Sequence, residues 1–202
     1  MNLDEALEQS AVWRGRNTAS RVGEVLPTGF ACLDELLAGG GWPGRSLTEI
    51  LIPENGIGEL RLVMPALARL GREKRWLAWV APPYVPYAPM LAAYGIDLAR
   101  VLVVRPQAVA DGFWAVEQAL RSGTCAAVLA WPAGGNMRVL RRLQLAAEKG
   151  HCWGIFFRDE RAAHYASPAA LRIRLQPLHD GLAVYIVKQR GYRKTAPTIV
   201  RF

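Results

Sequence analysis

The stretch Glu49-Ile-Leu-Ile-Pro-Glu-Asn-Gly-Ile-Gly-Glu-Leu60 holds the residues whose types and spacing come nearest to a chemical site. A short apolar strand runs into a glycine-bearing turn and then into the start of a helix. In that layout backbone amides cradle phosphate groups. The pattern G-x-x-x-x-G-K-[ST] is absent, however, so neither the phosphate-neutralising lysine nor the metal-binding hydroxyl follows the turn.

No other cluster competes with it. Cys32, Cys125 and Cys152 lie far apart without a C-x-x-C pair and read as small buried hydrophobes in a reducing compartment. The three histidines are equally scattered, so neither a metal site nor a histidine-based catalytic site is expected. A net charge of +8 suits an anionic partner, whether nucleic acid or an acidic protein face. Arg138, Arg141 and Arg142 share part of one helix and are candidates for such contact, with a solvated helix face as the other reading. The run Lys188-Gln-Arg190-Gly-Tyr-Arg193-Lys194 mixes bases with an aromatic and admits the same two readings.

The elements that must position these residues alternate along the chain. Residues 2–12 read as a short amphipathic helix, followed by a polar arm, so residues 1–24 form an N-terminal extension. The core is expected over 25–195, with 196–202 as a tail. Helices are expected over Phe30–Leu37, Glu59–Leu70, Pro89–Tyr94, Gly112–Arg121 and Asn136–Lys149. Apolar strands are expected at Leu47–Ile52, Arg75–Val80, Val101–Val104, Ala126–Trp131 and Cys152–Phe157. Leu171–Leu175 and Ala183–Val187 alternate in polarity around His179-Asp-Gly181 and read as an antiparallel hairpin. Short apolar strands separated by helices imply an α/β fold, a mostly parallel sheet covered on both faces, with the hairpin extending one edge. No run approaches the length of a membrane span and the N-terminus carries acids, so the chain reads as cytoplasmic, with no membrane partner.

Leu26-Pro-Thr-Gly-Phe-Ala-Cys-Leu-Asp-Glu-Leu through Gly44-Arg-Ser-Leu-Thr-Glu-Ile50 resembles the opening of the RecA recombinase core, which leads straight into a phosphate loop. Leu67–Val80, and Gln118-Ala-Leu-Arg-Ser-Gly through Leu129-Ala-Trp131, look like SulA, a degenerate RecA relative that blocks cell division in the SOS response. Both features, with the arm Trp13-Arg14-Gly15, resemble the ImuA family, SulA-related proteins of damage-induced mutagenesis. That resemblance implies a RecA-like, non-catalytic adaptor that binds ImuB, and through it an error-prone replicative-type polymerase, with RecA or DNA as further contacts. The alternative is a SulA-like inhibitor that binds the cell-division GTPase FtsZ.

Laid on the RecA-type loop, Pro53 and Glu54 are kept, Ile52 replaces a glycine, Gly58 the lysine and Glu59 the metal-binding hydroxyl. A one-residue slip instead puts Glu59 on the lysine. Either way a carboxylate faces the anion, and at close range that repulsion costs on the order of several kcal/mol. Trp131 takes the place of the second metal-binding acid, and Ala81-Pro82-Pro83 that of the catalytic glutamate. The resemblance therefore implies no catalytic residues and no cofactor. Pro53, Glu54, Asn55, Gly56, Gly58 and Glu59 form a degenerate loop not expected to hold nucleotide. Function then falls to surfaces: Trp13 and Arg14 in a RecA-like docking arm, Trp42 in the Gly-Pro loop, and Tyr84 and Tyr87 in the proline-aromatic loop closing a strand. Trp76, Trp79, Trp131 and Trp153 fall on expected core strands.

Overall fold

The computed structural model describes residues 25–189 and 196–202. The N-terminal helix and arm, with Trp13 and Arg14, therefore lie outside the described residues, as do Arg190, Arg193 and Lys194. Eight strands form one sheet in the order β10-β9-β8-β3-β7-β6-β4-β5. β3 (Leu47–Ile52), β4 (Trp76–Val80), β5 (Val101–Val104), β6 (Cys125–Ala130) and β7 (Trp153–Asp159) run parallel, and β8 (Leu171–Leu178) lies parallel to β3. β9 (Gly181–Gln189) and β10 (Thr198–Arg201) then continue the sheet antiparallel. The segment expected as a tail is thus the edge strand β10, whose Thr198 stands opposite Val184.

The helices divide between the two faces. Leu33 of α1 (Ala31–Leu36), Leu62, Val63 and Leu67 of α2 (Glu59–Leu70) and Leu91 of α3 (Ala88–Ala93) pack on one face with Ile50, Trp79, Leu129 and Ile155. Val116 and Leu120 of α4 (Val109–Arg121) and Leu140 and Leu143 of α5 (Met137–Gly150) cover the other face, against Ala78, Val80, Val128 and Phe156. β3 and β6 are buried along their whole length, as strands covered on both sides must be; β6 reads as an unbroken apolar run, whereas β3 carries Thr48 and Glu49 among its apolar residues.

The segment before β3 closes one end of the first core. β1 (Val25–Leu26) pairs with β2 (Trp42–Pro43), and between them the Asp34 carboxylate accepts the Thr28 N–H at 2.8 Å. Gly29 has φ +91°, and a Cβ there would meet Pro65 Cβ at 2.6 Å, so its threonine-glycine turn is fitted to α2.

Several expectations give way. Trp42 is fully buried, tilted against Trp153 at 5.5 Å, and so belongs to the core rather than to an interface. Its loop is drawn inward because Leu26 pairs with it across the two-stranded sheet. Trp76, at the start of β4, is exposed rather than buried. Cys32 is exposed on α1, whereas Cys125 and Cys152 are buried.

One charged cluster lies inside the sheet. Glu49 on β3 is fully buried and accepts from Arg158 on β7 at 2.6 Å and from Arg172 on β8 at 2.5 Å. Arg172 also donates to the carbonyls of Ala162 and Tyr165, and Arg158 to that of Gly134. The cluster thus ties the loops after β6 and β7 to the sheet.

Candidate functional site

All the parallel strands end on one edge, so the loops after β3, β4, β5 and β6 share it. The loop after β3 holds residues 53–59, which the sequence alone reads as a degenerate phosphate loop. Gly56 and Gly58 both take left-handed backbone, φ +94° and +99°, and Gly58 precedes the first residue of α2. The Glu59 side chain is buried and folds back, accepting the Gly56 N–H with Oε1 at 3.0 Å and Oε2 at 3.2 Å. This places the chain's own carboxylate on an amide that such a turn would offer to an anion, where the positive end of the helix dipole favours it. Pro53, Glu54 and Asn55 are exposed on the turn. Phe202 packs beside it, with the Arg61 guanidinium 4.3 Å from its ring centre.

Trp131, directly after β6, belongs to an aromatic stack. Trp131 lies 5.8 Å from Trp79 and 4.7 Å from Phe157, ring centre to ring centre. The indole nitrogens of Trp79 and Trp131 are buried without an acceptor, so the stack is held by apolar contact alone.

β4 and β6 are neighbours, but their loops leave to opposite faces, the first towards α3 and the second towards α5. A crevice opens between such loops, and α/β proteins place their binding surfaces in it. Here it is a cavity of about 170 Å³ lined by Ala81, Pro106, Gly112, Phe113, Trp131 and Ala133, among others. Ala81 is held at φ +53°, a left-handed conformation that costs a non-glycine residue roughly 1–2 kcal/mol, by an N–H bond to the Val104 carbonyl at 2.9 Å. A shallower groove continues from the cavity across Ala81 and Pro106 to Pro82, Pro83, Tyr84, Val85 and Arg105.

The rim of this crest is apolar and open. Tyr84 is 69% exposed, Tyr87 68% and Trp114, on the outer side of α4, 63%; Val85 and Val109 are exposed as well. Tyr84 thus lines the groove that adjoins a pocket sequence reasoning did not locate, and Tyr87 follows on the same exposed loop. Arg105, Pro106, Val109, Phe113 and Trp114 were not singled out either. Their contribution depends on β5 lying at the sheet edge beside β4, and the sequence marks only the Arg105-Pro106 break after β5.

The basic residues disperse. Arg142 pairs with Glu117 of α4 at 2.7 Å and so joins two helices. Lys188 donates to the Ser167 carbonyl at 2.7 Å, with burial and nearby Arg172 holding its pKa below the ordinary lysine value. Arg138 and Arg141 are exposed on α5.

Fold and site together define a mixed α/β protein with a mostly parallel sheet, an apolar crest at the strand ends and a glycine turn after β3 closed by its own Glu59 carboxylate. A family profile described as "Cell division inhibitor SulA" matches residues 46–154, and the chain belongs to that family. Cell division inhibitor SulA of Photorhabdus laumondii is 31% identical over 120 residues, 59% of this chain and 68% of that one. The protein of the same name from Edwardsiella piscicida is 32% identical over 111 residues, 54% and 66% of the two chains. That from Yersinia enterocolitica is 29% identical over 140 residues, 66% and 80%. The crystal structure of SulA from Pseudomonas aeruginosa aligns with 55% of this chain and 96% of that one, at 25% identity and a TM-score of 0.46.

These relatives overturn the reading of the chain as an ImuB-binding accessory of mutagenesis. That reading leaned on residues 26–50, and most of that segment has a packing role in the structure: Thr28 and Asp34 bond each other, Gly29 fits Pro65, and Trp42 fills the core. Among the described residues no helix is long and apolar enough to cross a membrane.

Proposed function

We propose that this protein inhibits cell division by binding a protein partner through the crest at the ends of β4, β5 and β6, without turning over nucleotide. The observation that carries this reading is one of placement. The family match over 46–154 takes in all three crest segments, 81–87, 105–113 and 131–133, together with the loop plugged by Glu59. β8 to β10 lie beyond it.

FtsZ is the partner that the SulA likeness suggests, with action in the cytoplasm during the SOS response. The architecture is read as a RecA-type core whose phosphate chemistry has been given up. The Glu59 carboxylate on Gly56 and the Trp131 stack support that view, since a bound triphosphate would have to displace a buried anion. Exposed Tyr84, Tyr87 and Trp114 are of the residue types that anchor protein interfaces.

The test is expression of the intact chain in its own host together with sedimentation of purified FtsZ polymers. Filamentous cells and a dose-dependent loss of FtsZ polymer are expected. Normal division at high expression, with polymer unchanged at equimolar protein, would overturn the proposal.

A further inference from the structure

The crest carries a second level of information, the chemistry of what enters it. The cavity between Ala81, Pro106, Gly112, Phe113, Trp131 and Ala133 is about 170 Å³. Dry apolar cavities of about 150 Å³ accept benzene, so a phenyl ring or a branched aliphatic side chain fits. No charged side chain lines the cavity itself; Gln107 is the one polar side chain among its residues.

Charge appears one step along, in the adjoining groove. Arg105 follows β5 directly, is exposed, and has no hydrogen bond or ion pair among the described residues. It precedes Pro106, which lines both the cavity and the groove. Arg105 is also the one charged side chain lining the groove, and the chain as a whole carries +8.

From this arrangement we infer that the crest recognises a partner segment carrying an aromatic or branched aliphatic anchor with a carboxylate close beside it. The anchor enters the cavity over Trp131, and the carboxylate meets Arg105. The inference rests on the crest being the partner-binding surface, and it names that partner's chemistry. Most of the affinity comes from filling a preformed apolar pocket, as interface anchors do. The ion pair, exposed to solvent, adds selectivity and a faster encounter rather than much strength.

The site's chemistry is tested without any protein partner, by titrating 3-phenylpropionate and, separately, 3-phenylpropanamide into the full chain and following backbone amide shifts. Shifts are expected at Ala81, Gln107, Gly112 and Ala133. The amide should bind roughly two- to fivefold more weakly, the range an exposed ion pair supplies. Arg105→Gln should remove that difference, and Ala108→Trp, placed at the cavity mouth, should abolish both sets of shifts. Shifts confined to other surfaces, or equal affinity for the two probes in the unaltered chain, would overturn the inference.

A second arm measures FtsZ binding by the same two variants, with thermal unfolding as the check on folding. Weakened binding by folded Ala108→Trp and by Arg105→Gln supports the inference. Binding unchanged in both folded variants overturns it. If the unaltered chain does not bind FtsZ, the proposed function fails, and the probe titration still decides the pocket's chemistry.

Discussion

Both oxygens of Glu59 lie within hydrogen-bonding distance of the Gly56 amide, at 3.0 and 3.2 Å, so the chain closes the glycine turn after β3 with its own carboxylate. The contact is local, three residues apart, and part-buried, and it satisfies that amide without an external anion. Glu59→Ala should cost about 1–2 kcal/mol, the scale of a lost helix cap, read as a lower midpoint in urea unfolding. Magnesium and ATP should leave the melting temperature of the unaltered protein where it was. A ligand-dependent rise at millimolar ATP would contradict the self-occupied loop.

Glu49 is a different kind of buried acid. It satisfies two arginines drawn from strands on either side, so its removal strands two guanidiniums in the sheet. Glu49→Ala should therefore destabilise by about 3–5 kcal/mol, a large share of the roughly 5–15 kcal/mol that holds a domain folded. Replacing Glu49, Arg158 and Arg172 together by methionine should cost less than the single change. Denaturant midpoints of the two variants give the comparison, and the reverse order would contradict the account.

The cysteines separate by access. Cys32 is exposed, while burial pushes the Cys125 and Cys152 thiols above their ordinary pKa and keeps them protonated. Iodoacetamide at neutral pH should modify one thiol per folded chain, at Cys32, and three after denaturation. Mass spectrometry of the modified peptides reads this directly.

Asp159 caps the short 3-10 helix Glu160–His164, accepting the Arg161 N–H at 2.8 Å. Its side-chain bonds to the Arg161 guanidinium hold its pKa at about 2, below the ordinary carboxylate value. A carboxyl depressed in the folded state contributes stability that is full above the unfolded pKa, near 4, and is lost as pH falls through about 2. Asp159→Asn should flatten the acid limb of the stability curve between pH 4 and 2 and leave its slope near pH 7 unchanged.

Much of the architecture is legible in local pattern. Leu47–Ile52, Glu59–Leu70 and Val101–Val104 are bounded in the sequence as they are in the structure, because an apolar strand or an amphipathic stripe ends at Pro53, Gly71 or Arg105. What stayed hidden depends on distant partners. Trp42 looks exposed among glycines and prolines until Leu26 and Trp153 are seen to enclose it. β10 has only four residues and becomes a strand through β9. Glu49 meets arginines 109 and 123 positions away. The crest is half legible: Tyr84 and Tyr87 stand out in a proline-aromatic loop, whereas the cavity beside them exists only once β4, β5 and β6 are side by side.

The central claim is that the crest, and not the loop at Glu59, does the work on a cell-division partner. The most direct measurement is FtsZ polymer sedimentation with the unaltered chain and with the double variant Tyr84→Ala, Tyr87→Ala. The account predicts that the unaltered chain suppresses polymer and that the double variant is at least about tenfold weaker. Its melting temperature should be nearly unchanged, since exposed substitutions away from structural contacts shift stability by about 0.5 kcal/mol or less. Equal suppression by the folded double variant would contradict the claim.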